Sequence, residues 1–296
     1  MDEMAAAPKL PKVLLFDIGG VCVVSPFQAI LDYETSLNIP PGWVNYSLSR
    51  SAPDGSWHKL ERGEIPLDAA FFAGLNADLH RPERWEAFYA REAGRRPSLP
   101  RETPPVPRLD GERLFNEMMA RSDAPDPWML PALRRLRQSG RYILGALSNT
   151  VIFPPGHALH RGGGGLADPV GGLFDVFVSS AHVGLRKPDA RIYRLALRRL
   201  DEFARANAHS ERGRRLGWGD GVRAADVLFL DDIGENLKAA KEEGFGTIKV
   251  RLGRAYEAVE ELERVTGLPL AGDHPRAAVE PQMGTGTGRG SRSAKM

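Results

Sequence analysis

The sequence predicts an α/β protein with a doubly wound parallel sheet, and three features indicate this fold. Five short apolar runs are too short for buried helices and suit strands that are covered on both faces. Helical patterns separate most of these runs, as in alternating α/β folds. A long helical stretch interrupts the alternation after the first run. The predicted strands are Val13–Phe16, Tyr142–Leu147, Val176–Val178, Val227–Leu230 and Thr247–Val250.

The helices between the strands are predicted from apolar residues at helical spacing and from glycine stop signals. Trp128–Gln138 has its apolar residues on one face, and Gly140 follows it. The same reasoning predicts helices over Ala190–Leu200, Asn236–Glu243 and Tyr256–Val265. Two segments are predicted to be irregular from their glycine content, Phe153–Gly172 and Ala204–Gly221, and the second resembles an insertion.

The stretch after the first strand is predicted to be an inserted helical cap. It has three helical patterns, over Phe27–Leu37, Leu67–Ala77 and Glu83–Glu92. We therefore expect an α/β core of residues 12–25 and 127–270 and a cap of residues 26–126. Residues 271–296 are low in apolar side chains and are expected to be disordered.

Composition excludes several function classes. The 40 basic and 38 acidic residues nearly balance, without the clustered basic excess that nucleic-acid binding needs. No apolar run approaches the roughly 20 residues that cross a bilayer, and no secretory signal is recognised at the start. The single cysteine, Cys22, favours a reducing compartment and a packing role.

Polar residues follow the first two predicted strands of the core. Asp17 comes directly after Phe16 and is followed closely by Gly19 and Gly20, which permit a sharp turn and a close ligand approach. Ser148, Asn149 and Thr150 follow the second strand, and such groups hold anions through side chains and backbone N–H groups. Each motif alone also suits an ordinary turn or cap.

Two further motifs carry charges. Lys187 precedes Pro188, which is predicted to open a helix. A cation at a helix start opposes the helix dipole, so it is unusual there unless it serves an anion. Asp231 and Asp232 are adjacent after a buried strand, and a hard divalent cation would relieve their repulsion. A surface lysine and an acidic helix start are the ordinary alternatives.

The four motifs in this order, each at a strand end, resemble the signature of the haloacid dehalogenase-like superfamily. The resemblance implies a Rossmann-like core with an inserted helical cap. Residues Val183–Pro188, Phe229–Gly234, Asn236–Lys238 and Glu61–Ile65 also look like the N-terminal phosphatase domain of soluble epoxide hydrolases. The epoxide-hydrolysing domain of those proteins is not expected here, and no Gly-x-Ser-x-Gly motif is present.

The resemblance implies an Mg²⁺-dependent phosphatase that acts on a small phosphorylated metabolite or lipid phosphate. Asp17 would be the nucleophile and form an aspartyl-phosphate. Asp17, Asp232 and the carbonyl of Gly19 would hold Mg²⁺. The phosphoryl oxygens would be bound by Ser148, Asn149, Thr150 and Lys187, and Lys187 would also act in catalysis by neutralising charge on the phosphoryl group and on Asp17. Asp231 and Asn236 would support the site.

This chain departs from the superfamily at Gly19. Most phosphatases of the superfamily carry an aspartate two residues after the nucleophile, where it acts as general acid and base. Loss of that group would cost roughly 10²–10⁴ in rate. A substitute acid from the cap is one solution, and His58 is a candidate, although a surface role is the preferred interpretation of His58. Two alternatives stay open: a binding or regulatory protein without turnover, and a dehalogenase, against which the paired Asp231 and Asp232 argue.

The end of the sequence suggests a location. Ala294-Lys295-Met296 resembles the peroxisomal address of the Ser-Lys-Leu type, which an import receptor reads. We therefore expect a cytoplasmic or peroxisomal protein. Three residues also match such an address by chance.

Overall fold

The computed structural model describes residues 10–121, 124–160 and 169–279. Its centre is a parallel sheet of five strands in the order β3-β2-β1-β4-β5. The strands are β1 Val13–Phe16, β2 Ile143–Ser148, β3 Val176–Ser179, β4 Val227–Asp231 and β5 Gly246–Lys249. The predicted α/β fold is confirmed, with strand ends within one residue or two of their predicted positions.

The register of the central strands places the predicted functional residues side by side. Phe16 of β1 pairs with Ala146 of β2 and with Leu230 of β4. The next residue after Phe16 is Asp17, and the next after Leu230 is Asp231. Both carboxylates therefore leave the sheet at the same edge, which is where open α/β sheets bind ligands.

Helices cover both faces of the sheet, as the continuous apolar strands require. One face, with Leu14 and Phe16 of β1, packs against α7 and α12. The other face, with Val13 and Leu15, packs against α9 and α11. The bounds of these helices are α7 Met129–Ser139, α9 Ala190–Ala206, α11 Gly234–Glu242 and α12 Ala255–Thr266, and the short helix α8 spans Ser180–Val183.

Six helices lie between β1 and α7 in the part of the chain that the structure describes. They are α1 Pro26–Ser36, α2 Trp43–Arg50, α3 Ser56–Glu61, α4 Ala69–Leu79, α5 Pro82–Arg95 and α6 Gly111–Arg121. They share a separate aromatic-rich core that includes Trp43, Trp85, Phe88 and Phe115. Only α1, α4 and α5 were predicted. The serines and asparagine of α2 favour helices weakly, and α3 is too short to show a period.

The prediction of irregular structure over Ala204–Gly221 is wrong. Helix α9 continues to Ala206, helix α10 spans Glu211–Leu216, and a 3-10 turn covers Trp218–Asp220. Ser210 caps α10 by accepting from the Gly213 N–H. Trp218 is buried, and the Arg212 guanidinium lies 4.8 Å from its ring centroid. These tertiary contacts stabilise a segment whose composition suggested a loop.

The final described residues, 271–279, form neither helix nor strand, but they contact the core. The Trp128 indole N–H donates to the Pro275 carbonyl, and the Val279 N–H donates to the Gly253 carbonyl. The rest of the segment that was predicted to be disordered, including Ala294-Lys295-Met296, lies outside the described residues. None of the helices in the described ranges has the length and apolar character that a membrane span requires.

Candidate active site

Asp17 lies at the carboxyl end of β1, where the backbone of the turn fixes its side chain. Its N–H donates to the Leu230 carbonyl at 2.8 Å, which continues the sheet by one residue. Its Oδ1 accepts from the Ile18 N–H at 2.7 Å. Asp17 is only 6% exposed, so few other orientations are open to the carboxylate.

Lys187 is held between two of the carboxylates. Its Nζ lies 2.9 Å from Asp17 Oδ1 and 2.6 Å from Asp231 Oδ2, and the side chain is buried. Burial by itself would lower the pKa of Lys187, but Asp17 and Asp231 raise this pKa above its usual value. The amine therefore stays charged and forms the cationic centre of the site.

The Asp231 carboxylate is fully engaged by hydrogen-bond donors. Its Oδ1 accepts from the Ile233 N–H at 2.7 Å, and both oxygens lie 3.1 Å from Asn236 Nδ2. Its Oδ2 also accepts from Lys187. The Asn236 carbonyl in turn accepts from the Tyr193 hydroxyl at 2.9 Å. Asp231 thus orients Lys187 and has little capacity left for a further ligand.

Asp232 differs from Asp231, because its Oδ1 is buried and has no hydrogen-bond partner among the described residues. Asp17, Asp231 and Asp232 each place a carboxylate oxygen within 4.8 Å of the other two. Burial, and then the charges of Asp17 and Asp231, raise the pKa of Asp232 well above its usual value. The three acids face one lysine, so the cluster could hold a metal ion, which would relieve their repulsion.

The pKa of Asp17, the candidate nucleophile, is also set by opposing effects of burial and of neighbouring charges. Burial raises the pKa of Asp17 to about 6; the Lys187 charge opposes this shift and the Asp231 charge adds to it. At neutral pH Asp17 is therefore mostly ionised. Cys22, whose Sγ donates to the Asp17 carbonyl at 3.1 Å, is fully buried with a raised pKa, as its predicted packing role requires.

The two glycines after Asp17 have different roles. Gly20 has a φ of +78°, and a Cβ there would lie 2.3 Å from Asp232 Oδ2. Its hydrogen side chain therefore lets the turn pass close to Asp232. Gly19 has no positive φ, and the nearest atom to its Cβ would be Pro26 Cδ, at an ordinary 3.6 Å. Nothing steric at this position requires glycine.

The loop after β2 meets the segment before α9. The Asn149 carboxamide pairs with the Lys187 backbone, since Oδ1 accepts from the Lys187 N–H at 2.8 Å and Nδ2 donates to its carbonyl at 3.2 Å. The Asn149 side chain is thus committed to the Lys187 backbone. Ser148 Oγ is buried and contacts the Asn149 carbonyl at 3.3 Å.

Thr150 faces away from this pairing. Its hydroxyl lies 2.6 Å from Ser179 Oγ, and its N–H donates to Ser180 Oγ at 2.8 Å. Thr150 lies in the loop after β2, and its contacts are with the last residue of β3 and the first residue of α8. These contacts support the loop, and the role of Thr150 in substrate binding stays a prediction.

Two expectations about neighbouring residues are wrong. Pro188 does not open α9, because Asp189 is the N-cap and accepts from the Arg191 N–H, so Lys187 lies two residues before the cap. His58 is not a surface residue: it is 5% exposed. Burial, with the nearby Arg186 and Arg62 charges, lowers the pKa of His58 to about 4, so it is neutral at neutral pH.

Sequence reasoning gave no role to three residues beside the site, Arg186, Ser180 and Tyr193. Tyr193 supports Asn236 through its hydroxyl. Arg186 and Ser180 contact Glu61 at the end of α3. Arg186 directly precedes Lys187 in one of the recognised motifs, and Glu61 is the first residue of the Glu61–Ile65 motif. These positions were the sequence features that could have indicated a role for the two residues.

Comparison with known proteins gives a family match over most of the chain. The model of haloacid dehalogenase-like hydrolases matches residues 11–244. The chain is 28% identical over 260 residues to acyl-CoA dehydrogenase family member 10 of Mus musculus, covering 88% of this chain and 19% of that protein. It is 27% identical over 260 residues to bifunctional epoxide hydrolase 2 of Sus scrofa, covering 88% and 39%.

A third relative has nearly the same extent as this chain. The sesquiterpene phosphatase astK of Aspergillus oryzae is 24% identical over 257 residues, covering 86% of this chain and 97% of that protein. By contrast, the chain spans only about a fifth to two fifths of the first two relatives. On the strength of the family match, this chain belongs to the haloacid dehalogenase-like hydrolases and is an enzyme with phosphatase homologues.

Proposed function

We propose that this protein is an Mg²⁺-dependent phosphomonoester hydrolase that uses Asp17 as a covalent nucleophile. The observation that carries the proposal is the contact of Asp17 with the buried Lys187 and its closeness to Asp232, whose buried Oδ1 has no hydrogen-bond partner among the described residues. A carboxylate in this setting has both a cation to neutralise an incoming phosphoryl group and a neighbour suited to a metal ion.

The residues present fit a magnesium ion. The unpartnered Asp232 Oδ1 needs a partner, and Asp17 lies beside it. Asp17, Asp232 and the Gly19 carbonyl would hold the ion, which is consistent with the preference of Mg²⁺ for one or two carboxylates. Asp231 would support the site by holding Lys187, because its oxygens already accept from Lys187, Asn236 and the Ile233 N–H. When bound, the ion supplies charge neutralisation and Lewis acidity at a phosphoryl oxygen.

The reaction would proceed in two displacements at phosphorus. Asp17 attacks the phosphorus, the bond to the ester oxygen breaks, and its electrons leave with that oxygen, which takes a proton from solvent. Water then attacks the aspartyl-phosphate at phosphorus and loses a proton to solvent, which restores the Asp17 carboxylate and releases inorganic phosphate. Lys187 stabilises the negative charge, while Ser148 and the Asn149 N–H bind phosphoryl oxygens.

Gly19 places a limit on this chemistry. With glycine at this position, the site lacks the carboxyl group that most phosphatases of the superfamily use to protonate the leaving oxygen. Neutral His58, with its pKa lowered to about 4, is a poor acid at neutral pH. We therefore expect a substrate with a good leaving group, or slow turnover. A protein that binds phosphorylated ligands without turnover is the second candidate, and Gly19 is the observation that favours it.

The substrate would be a small phosphorylated metabolite or a lipid phosphate. The likeness to a sesquiterpene phosphatase supports a phosphate ester on an apolar body. A cytoplasmic or peroxisomal location remains a prediction. Peroxisomal import would depend on Ala294-Lys295-Met296, which lies outside the described residues. A fluorescent fusion that stays diffuse with and without Met296 would rule out the peroxisomal address.

The test is phosphate release from a panel of sugar, glycerol, acyl and isoprenoid phosphates. We expect release with Mg²⁺, none with EDTA, and none from Asp17→Asn, whose amide cannot act as the nucleophile. The preferred ester would define the substrate class. A folded wild-type protein that binds Mg²⁺ but releases no phosphate from any ester would favour the second candidate.

A further inference from the structure

The end of α3 contacts the core beside both segments that carry the predicted phosphate-binding groups. The Glu61 carboxylate pairs with Arg186 Nε at 2.7 Å, and Arg186 directly precedes Lys187. The Glu61 carbonyl accepts from Ser180 Oγ at 2.6 Å, and the same Oγ accepts from the Thr150 N–H at 2.8 Å. One cap residue is thus connected to the loop after β2 and to the segment before α9.

These contacts are shielded from water. The Glu61 side chain is 9% exposed and that of Arg186 is 21% exposed, so solvent and salt screen the pair less than an exposed one. Ser180 is fully buried. Close by, Gly63 has a φ of +66°, and a Cβ there would lie 2.2 Å from the Ala181 carbonyl oxygen. The backbones of the cap and the core therefore approach closely at this point.

A second set of contacts holds the same loop from the other side. Val151 and Phe153, which follow Thr150, pack against the aromatic core of the cap. The Phe153 ring lies 6.4 Å from that of Phe115 in α6. The loop after β2 is therefore bounded by apolar cap contacts at its far end and by the Glu61–Ser180 link at Thr150.

We propose that Glu61 is a positioning residue that couples docking of the cap to the placement of Lys187 and of the Ser148–Thr150 loop. The inference rests on the proposed phosphatase function for its kinetic consequence, but the placement itself does not require turnover. Glu61 acts through Arg186 and Ser180 and not on the substrate. Because Lys187 must meet a phosphoryl group at hydrogen-bond distance, a shift of about 1 Å costs up to about 100-fold in rate.

The kinetic test compares Glu61→Ala with a matched control in the same turn. Glu64 pairs with Arg62 at 2.6 Å, but its side chain is 45% exposed. With p-nitrophenyl phosphate, we expect Glu61→Ala to lower kcat about 10- to 100-fold without changing the Mg²⁺ concentration needed for half-maximal rate. Glu61→Gln keeps an acceptor for Arg186 and should recover most of kcat, and Glu64→Ala should stay within about twofold of wild type.

A second readout is independent of catalysis. The Thr150 N–H donates to Ser180 Oγ and the Lys187 N–H to Asn149 Oδ1, so hydrogen exchange at these two amides reports the placement of both segments. Glu61→Ala keeps the main-chain carbonyl that accepts from Ser180 but loses the carboxylate that holds Arg186, so faster exchange at the Lys187 amide in this variant, but not in Glu64→Ala, supports the proposal. It does so even if the wild type releases no phosphate, a result that counts against the phosphatase alone.

Two results would overturn the inference. One is an active wild type with unchanged kcat and unchanged exchange in folded Glu61→Ala. The other applies if Glu61→Ala does not fold: Arg186→Gln removes the charged partner of Glu61, and unchanged exchange at Lys187 in that folded variant would remove the basis for the coupling.

Discussion

Replacing Gly20 with alanine tests the geometry of the proposed metal site. The φ of +78° costs an L-residue about 1–2 kcal/mol. The new Cβ would also lie 2.3 Å from Asp232 Oδ2, and real contacts of this kind do not fall below 3.0 Å, so the carboxylate must move away. We expect a loss of about 1–2 kcal/mol in the free energy of unfolding and about tenfold weaker Mg²⁺ binding, since 1.4 kcal/mol is a factor of ten.

The neighbouring glycine provides the control. Gly19→Ala introduces no positive φ, and its Cβ meets nothing closer than Pro26 Cδ at 3.6 Å. Its carbonyl, a proposed ligand, is retained. The free energy of unfolding of this variant should stay within about 0.5 kcal/mol of wild type, with unchanged Mg²⁺ affinity.

Thermal unfolding across a series of Mg²⁺ concentrations measures both quantities, because an ion that binds the folded state raises the melting temperature. The contrary result is that the two variants have the same free energy of unfolding and need the same Mg²⁺ concentration for half of the rise in melting temperature. In that case the close approach of Gly20 to Asp232 would not affect metal binding. The assignment of Asp232 as a metal ligand would then fail.

Four further predictions concern the site and the cap. Lys187→Met leaves buried carboxylates without their cation, so urea unfolding without metal should show a loss of about 3–5 kcal/mol; an unchanged midpoint would contradict the pairing. Asn236→Ala removes two hydrogen bonds from Asp231 and should cost about 1–3 kcal/mol in the same assay, while full stability would argue against this support. Gly19→Asp introduces a carboxyl group at a position where a Cβ makes only ordinary contacts, so kcat for an alkyl phosphate should rise by up to about 10² relative to Gly19→Ala, and equal rates would contradict the missing-acid argument. Burial raises the pKa of Glu34 from 4.5 to about 7, so its contribution to stability is complete below pH 4.5 and is lost as pH rises through 7; unfolding should show a decrease on the order of 3 kcal/mol over that range, and Glu34→Gln should lack this decrease.

The sheet could be predicted from local patterns because its strands are short, apolar runs bounded by polar residues. Val13–Phe16 agrees with β1 at both ends. Helix α10 could not be predicted in this way, because its arginines and glycine leave too few apolar residues to show a helical period. Its stability comes from the Ser210 cap and from contacts of Arg212 and Trp218 that only the folded chain supplies.

The candidate site shows the same division between local and tertiary information. Strand ends predicted that Asp17, Asp231 and Asp232 would meet, because parallel strands end at one edge of a sheet. The pairing of Asn149 with the Lys187 backbone joins residues that are far apart in sequence, so no spacing rule reveals it. The burial of His58 likewise depends on how α3 packs. The catalytic roles of these residues stay predictions.

The most direct test of the central claim is mass spectrometry of the peptide that contains Asp17. The protein is mixed with Mg²⁺ and a phosphate ester that it hydrolyses, and the reaction is quenched in acid within one turnover. The proposed mechanism predicts one phosphoryl group on Asp17 in the wild type and none in Asp17→Asn. Phosphate release by wild type without labelling of this peptide, together with retained release by Asp17→Asn, would contradict the claim that Asp17 is the nucleophile.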